Sequence, residues 1–146
     1  MGIRILRCKH CGNIVIFQED SKVTPVCCGE IMQLLDASTE DALIEKHLPI
    51  VEIEREEYKK DDCVGKRHTK KGCCQSYVTV RVGSTAHPMV DSHYITWIML
   101  KTNLGTYTKF LEAGDEAEAT FCLTKGEKAE QVFSYCNLHG LWEGIV

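Results

Sequence analysis

Cys136 and His139 stand three residues apart near the end of this 146-residue chain, where they offer a thiolate and an imidazole to a metal. Three further histidines precede them, His47, His87 and His93. The five residues are soft or borderline ligands, whereas a structural zinc site closes with four. The set therefore suits a redox metal better than it suits a structural zinc.

A second group of candidate ligands lies near the N-terminus. It consists of Cys8, Cys11, Cys27 and Cys28, with the spacing C-x2-C-x15-C-C. Four thiolates fit a tetrahedral site for iron or zinc, and spacing alone does not choose between the two metals. A glycine follows each cysteine pair and supplies the backbone freedom for amides to turn back onto a metal-bound sulfur. His10 lies within the first loop, and since four sulfurs already fill the site, we interpret it as a solvent-exposed turn residue.

Composition excludes several classes of function. The net charge is -4, from 17 basic and 21 acidic residues, which does not favour nucleic acid as a partner. No apolar run is long enough to span a bilayer, and the N-terminal residues lack the features of a signal peptide. Nine cysteines without an export signal indicate metal binding rather than disulfides. We therefore expect a cytoplasmic protein with no membrane partner.

Short strands are predicted along most of the chain. Two of them, around residues 3–5 and 14–17, flank the first cysteine pair in a segment of about 36 residues, which needs metal binding for much of its folding free energy. Residues 36–46 predict one helix, closed by Pro49. Further strands are predicted at residues 50–53, 77–82, 94–100, 106–110, 117–123 and 131–135. These short strands and their Gly-containing turns favour an all-β fold, either a sandwich or a small barrel.

The chain resembles desulfoferrodoxin, the two-iron class of superoxide reductase. The motifs that carry the resemblance are C-x2-C-x15-C-C at 8–28, E-K-H-x-P at 45–49, G-S-x-A-H-P-M at 83–89, H-Y-I-x-W at 93–97 and C-N-L-H-G-L-W at 136–142. The resemblance implies a desulforedoxin-like domain at residues 1–36 that holds a four-sulfur iron. It also implies an immunoglobulin-like β-sandwich at residues 37–146 that holds the catalytic iron.

The same resemblance implies an activity and a set of residue roles. The activity is the one-electron reduction of superoxide to hydrogen peroxide, with no dioxygen produced. The catalytic iron would be bound by the four equatorial histidines His47, His87, His93 and His139 and by the axial thiolate of Cys136. Lys46 and Glu45 would be the active-site lysine and glutamate. An electron donor such as a rubredoxin-like protein and a homodimer joined through the small domains are also implied.

One region departs from the family pattern. Between His47 and His87 the chain is longer by roughly twenty residues, centred on residues 54–76. The extra part contains Cys63, His68, Cys73 and Cys74. Two interpretations stay open, a third metal site or, as we favour, a hairpin extension with free or occasionally oxidised thiols. Its four basic residues predict a cationic tip. We favour solubility as the role of this charge, and the alternative is a docking surface for an acidic redox partner.

Two other classes of metalloprotein compete with the reductase. The chain could be an electron-transfer or structural metalloprotein in which the histidines close a second structural site; four ligands would then suffice and leave one of the five residues unused. A mononuclear iron oxygenase would require a carboxylate beside two histidines. Glu45 is the only hint of one, and Cys136 argues against it.

Overall fold

The computed structural model describes residues 3–19, 22–38, 41–55 and 75–146. The chain divides into two compact units, Met1–Ala37 and Ser38–Val146. Within the described ranges, no helix combines the length and the apolar character needed to cross a membrane.

The smaller unit consists of short antiparallel strands. They are β1 (Arg4–Arg7), β2 (Ile14–Phe17), β3 (Val26–Cys27), β4 (Glu30–Ile31) and β5 (Gln33–Leu34). The first, second and fifth form a sheet in the order β2-β1-β5, and β3 pairs with β4. Leu6, Cys8 and Met32 form a buried cluster in this unit, so one of the candidate metal ligands is itself part of the core. The two predicted strands are confirmed, but the two-residue strands are too short to show a period of two in the sequence.

The larger unit contains one helix and seven strands among its described residues. They are α1 (Asp41–His47), β6 (Pro49–Arg55), β7 (Ser76–Val82), β8 (Ile95–Thr102), β9 (Thr106–Phe110), β10 (Glu118–Leu123), β11 (Ala129–Cys136) and β12 (Gly140–Gly144). Two antiparallel sheets form, with the orders β10-β7-β6 and β12-β11-β8-β9. Val78, Val80 and Val82 of the first sheet share one buried core with Ile98 and Val132 of the second. This arrangement confirms the immunoglobulin-like β-sandwich.

Two details of the larger unit differ from the prediction. The helix was expected to begin at Asp36, but residues 36–38 are not helical, because the Ser38 N–H donates to the Leu141 carbonyl at 2.7 Å. The strand β12 was not predicted, because a glycine at each end reads as turn rather than strand. Pairing with β11 along its whole length overrides that local signal.

Candidate metal centres

The four N-terminal cysteines converge in the smaller unit. Their sulfur atoms all lie within 4.8 Å of one another in Cys8, Cys11, Cys27 and Cys28. The Cys11 and Cys27 sulfurs are 3.6 Å apart and those of Cys27 and Cys28 are 4.0 Å apart. Metal–sulfur bonds of about 2.3 Å in a tetrahedron place sulfurs about 3.8 Å apart, so the group fits one tetrahedral ion.

Backbone conformation explains how two adjacent cysteines reach one centre. Cys28 has a φ of 52° and Gly29 a φ of 81°, so the chain turns through two successive left-handed residues. Gly12, after the first pair, has a φ of 75°, and its N–H donates to the Cys8 carbonyl at 3.1 Å. Both glycines thus adopt the turn conformation that their positions predict.

The ionisation of these thiols also points to a bound cation. A hydrogen bond from the Cys11 backbone lowers the pKa of Cys8 to about 6. Contact with the Cys11 thiol raises the pKa of Cys27 to about 12 and also raises the pKa of Cys28. Four thiolates this close repel one another, so a cation is needed to hold them all ionised. His10 is exposed and lies 3.2 Å from a Glu30 oxygen, outside the sulfur group.

The second group is assembled at one end of the β-sandwich. His47 ends α1 directly before β6, and His87 and His93 lie in the connection between β7 and β8. Cys136 ends β11, and His139 lies in the tight turn to β12. The short turns of antiparallel strands therefore bring together residues that are up to 92 positions apart in the chain.

The four imidazoles form a closed square. Neighbouring ring centroids are 4.6 to 4.9 Å apart around the order 47, 87, 93, 139, with interplanar angles of 72 to 81°. The diagonal pair His47 and His93 is separated by 5.9 Å. His139 Nδ1 lies 2.9 Å from His47 Nε2 and 3.7 Å from the Cys136 sulfur. Two nitrogens bound at right angles to one metal, each about 2.1 Å from it, are about 3.0 Å apart, so the spacing fits a shared ion.

The hydrogen bonding of the ring nitrogens fits a bound metal. His47 Nδ1 donates to the Leu43 carbonyl at 2.8 Å and His87 Nδ1 to the Pro88 carbonyl at 2.6 Å. The Nε2 atoms of His87 and His93 are buried and have no hydrogen-bond partner. Metal-binding histidines commonly donate their second ring N–H to a carbonyl, which orients the ring. The unsatisfied nitrogens are therefore explained by a metal ion that they would share.

Burial keeps these rings neutral. It lowers the pKa of His87 to about 4 and also lowers the pKa of His47 and of His93. A neutral imidazole has the free lone pair that a metal requires. The sulfur of Cys136 lies within 4.8 Å of one nitrogen of each of these three rings. Within the described residues no aspartate or glutamate joins this group, which disfavours the oxygenase alternative.

Glu45 and Lys46 lie in the last turn of α1, and both are exposed. Burial is the main cause of the lowered pKa of His47 and of His93, and the positive charge of Lys46 also contributes to it. The backbone carbonyl of Glu45 accepts hydrogen bonds from the Thr85 N–H at 3.1 Å and from the Ser84 hydroxyl at 3.2 Å. The turn after β7 thus holds the backbone that carries both charges.

Several residues that support the histidine group were not assigned a role from the sequence. Trp142 is fully buried and stacks on His47, with ring centroids 4.9 Å apart. The buried hydroxyl of Ser134 donates to the His47 carbonyl at 3.2 Å. Gly83 has a φ of 84°, and a Cβ there would collide with the Lys46 carbonyl group. The contacts of Trp142 and Ser134 carry no local signal in the sequence, because each joins a strand to the distant helix α1.

Two observations concern cysteines outside these groups. Cys63, Cys73 and Cys74, together with His68 and most of the predicted extension, lie outside the described residues. Cys122 is exposed on β10 and is disulfide-bonded, so at least one of the nine cysteines serves a disulfide and not a metal. The cysteines of the two ligand groups are all free thiols.

Comparison with known proteins agrees with this arrangement. The family model of the desulfoferrodoxin N-terminal domain matches residues 3–35, and the desulfoferrodoxin model matches residues 39–145. The chain is 40% identical to the desulfoferrodoxin of Nitratidesulfovibrio vulgaris over 141 residues, which cover 95% of this chain and 93% of the relative. It is 39% identical to the desulfoferrodoxin of Syntrophotalea carbinolica over 140 residues, covering 96% and 94% of the two chains.

A solved structure gives the same result for the fold. The crystal structure of the superoxide reductase from Treponema pallidum matches with a TM-score of 0.75 and 28% sequence identity, and the match covers 99% of this chain and 98% of that one. The two family models match in order the small four-cysteine unit and the β-sandwich of this chain. This chain therefore belongs to the desulfoferrodoxin family.

Proposed function

We propose that this protein is a superoxide reductase that converts superoxide, one electron and two protons into hydrogen peroxide. The observation that carries the proposal is the square of four imidazoles with a buried thiolate in reach of all of them. Four of the five candidate ligands, those of His47, His87, His93 and Cys136, have ligand atoms that all lie within 4.8 Å of one another, and the fifth, His139, has its Nδ1 2.9 Å from His47 Nε2. A fifth ligand would be one more than a closed tetrahedral site uses, which supports a reactive metal over the alternative of a purely structural or electron-transfer centre. The related structure from Treponema pallidum is itself named as a superoxide reductase.

The resident metal is proposed to be iron in both centres, with zinc as the alternative in the four-cysteine centre. Iron held by His47, His87, His93, His139 and Cys136 would supply the electron and keep one coordination position open to the substrate. The thiolate is a strong electron donor, as in thiolate-ligated haem. Neutral imidazoles add no negative charge, so the ferrous site would carry a net positive charge that favours an anionic substrate.

Lys46 and Glu45 are proposed to act at the exposed face of this centre. The ammonium group of Lys46, close to His47 and His93, attracts superoxide and can donate a hydrogen bond or a proton to the product. Glu45 places a carboxylate on the same exposed turn, where it would be able to occupy the vacant position of the ferric iron after the product leaves. Lys46 thus favours the approach of superoxide to the metal, whereas Glu45 opposes it.

Continued turnover requires an external electron donor, for which we propose a small redox protein such as a rubredoxin-like protein. We also propose a homodimer joined through the smaller units. That unit exposes four large aliphatic side chains, which are 51 to 67% accessible in Val23, Val26, Ile31 and Leu34. Clustered exposed apolar residues commonly mark an interface. Light scattering on the full chain would test the dimer.

The product ratio tests the proposed reaction. The iron-loaded, prereduced protein should form one hydrogen peroxide for each superoxide consumed and should release no dioxygen. A dismutase would form half as much peroxide, with dioxygen as the second product, and a protein without catalysis would not accelerate superoxide loss. Either of these two results would contradict the proposal.

The Cys136→Ser variant tests the site. It should lose the sulfur-to-iron absorption of the histidine centre and nearly all superoxide reduction, because the thiolate that would bind the iron is removed. Absorption from the four-cysteine centre should remain as evidence that the smaller unit is intact, and circular dichroism checks that the β-sandwich is folded. Full activity in this variant would refute the role assigned to Cys136.

A further inference from the structure

The pairing of β8 with β11 is interrupted at Cys136. Tyr135 lies opposite Trp97, but the next residue, Cys136, lies opposite Ile95, so Thr96 has no partner on β11. The Thr96 hydroxyl instead donates to the Tyr135 carbonyl at 3.2 Å. A bulge of this kind changes the direction of the neighbouring side chains and is frequent beside functional sites. Regular strand pairing alone therefore does not determine where the Cys136 sulfur lies.

Beyond the bulge, hydrogen bonds made by Asn137 replace the regular pairing of the two strands. Its backbone N–H donates to the Tyr94 carbonyl at 3.1 Å, and its side-chain oxygen accepts from the Tyr94 N–H at 2.9 Å. Its side-chain nitrogen donates to the Ser92 carbonyl at 3.3 Å. Ser92 and Tyr94 are the two neighbours of His93 in the chain. The side chain of Asn137, the residue after Cys136, therefore holds the backbone on both sides of His93.

We propose that Asn137 is a positioning residue that holds Cys136 and His93 at the separation that the bound metal requires. The inference rests on the proposed function, in which both residues bind the same iron. The side-chain oxygen of Asn137 also lies 4.0 Å from the Cys136 sulfur, so its removal changes the surroundings of the thiolate directly. Loss of such supporting partners typically weakens metal binding by about 10- to 100-fold.

The chain contains a matched control at the opposite end of the same strand pair. Asn103 follows β8, and its backbone N–H donates to the Lys128 carbonyl at 3.1 Å while its side-chain oxygen accepts from the Lys128 N–H at 2.7 Å. Its side-chain nitrogen donates to the Gly126 carbonyl at 3.2 Å. Asn103 and Asn137 are both exposed and make the same three hydrogen bonds, but none of the candidate ligands adjoins Asn103. A purely structural role predicts the same effect at both positions.

The experiment compares Asn137→Ala with Asn103→Ala in the full-length, iron-loaded protein. Three quantities are measured for the histidine centre: the energy of its sulfur-to-iron absorption band, its reduction potential, and the release of iron to a competing chelator. We expect similar losses in the urea midpoint of unfolding for both variants. Only Asn137→Ala should shift the band and the potential, and its iron should be bound about 10- to 100-fold more weakly.

A third variant keeps the test decisive if Asn137→Ala does not fold. Asn137→Ser retains a short polar group that can accept from the Tyr94 N–H, so it should shift the band in the same direction by a smaller amount. Unchanged spectra and potentials in the Asn137 variants, or equal shifts in Asn103→Ala, would overturn the inference while the proposed function stands. Absence of the band and of peroxide formation in the parent protein would overturn the proposed function and the inference together.

Discussion

Local contacts orient the imidazoles of the histidine centre. The ring of His47 donates from Nδ1 to the Leu43 carbonyl four residues earlier, one turn back along α1, while its flat face rests on Trp142. His87 is fixed by the carbonyl of the residue that follows it, Pro88. Ligands held in this way lose little conformational entropy on metal binding. The centre is thus preorganised by local backbone groups and one aromatic contact.

Lys46 gives the first prediction at the residue scale. Lys46→Ala should slow the reaction of the ferrous protein with superoxide by about ten- to a hundredfold, the range expected for one lost charge-assisted hydrogen bond. Rapid-mixing or pulse-radiolysis kinetics would measure the rate. Lys128→Ala, which removes the same charge at the opposite end of the sandwich, is the matched control and should leave the rate nearly unchanged. Equal rates for Lys46→Ala and the parent protein would refute the role of Lys46.

Among the secondary-structure elements, two turns at the far end of the sandwich are joined through one buried carboxylate. Glu127 accepts hydrogen bonds from the hydroxyls of Thr102 and Tyr107, each at 2.7 Å, and from the N–H and hydroxyl of Thr124, each at 3.0 Å. Thr102 ends β8 and Tyr107 lies in β9, on either side of the turn that joins them, and Thr124 lies in the turn between β10 and β11. Burial raises the pKa of Glu127, but the four hydrogen bonds outweigh it, so the net pKa is lowered.

The corresponding prediction is a pH-dependent loss of stability in Glu127→Gln. A Gln amide nitrogen cannot accept these bonds, so the free energy of unfolding at pH 7 should fall by about 1.5–3 kcal/mol. Because the folded pKa lies below the unfolded value, the carboxylate stabilises the fold above the unfolded value of 4.5 and loses this effect as the pH falls through the folded pKa. The difference between parent and variant should therefore shrink in acid.

Urea unfolding at several pH values measures this effect. The control is Glu130→Gln, which removes an exposed carboxylate paired with Lys101 and should cost less than about 1 kcal/mol. A gap between parent and Glu127→Gln that stays constant below pH 4.5 would contradict the assignment of the stabilisation to the ionised carboxylate.

Local pattern predicted the regular strands well and the irregular segments poorly. In β7 the buried residues Val78, Val80 and Val82 alternate with more exposed ones, which is the period of a half-buried strand. The same rule missed β12, where glycines flank the strand, and it extended the helix back to Asp36. At the candidate site, residue type and spacing predicted the residues that the structure brings together. The supporting contacts of Asn137 and Ser134 were not predicted, because each joins residues more than 40 positions apart in the chain.

At the scale of the whole molecule, each compact unit contains its own group of ligands. Cys27→Ser should remove or destabilise the metal of the smaller unit, because a tetrahedral site loses one of its four sulfurs. Superoxide should still be reduced stoichiometrically in a single turnover at the histidine centre. Metal analysis and single-turnover kinetics check this, with Cys136→Ser as the reciprocal variant. Loss of single-turnover reduction in a Cys27→Ser protein whose second iron is still bound would show that the centres are not separable.

The register of β6 and β7 has a consequence for protein engineering. Pro49 pairs with Val82 beside the histidine centre, whereas Arg55 pairs with Ser76 at the other end of the two strands. Six residue steps of about 3.3 Å separate these pairs, a distance of ~20 Å. Among the described residues, Arg55 and Ser76 form the pair of these strands farthest from the histidine centre, so a change of chain length beyond that pair is not expected to move a ligand. A fluorescent reporter or an affinity tag grafted beyond it should leave superoxide reduction unchanged.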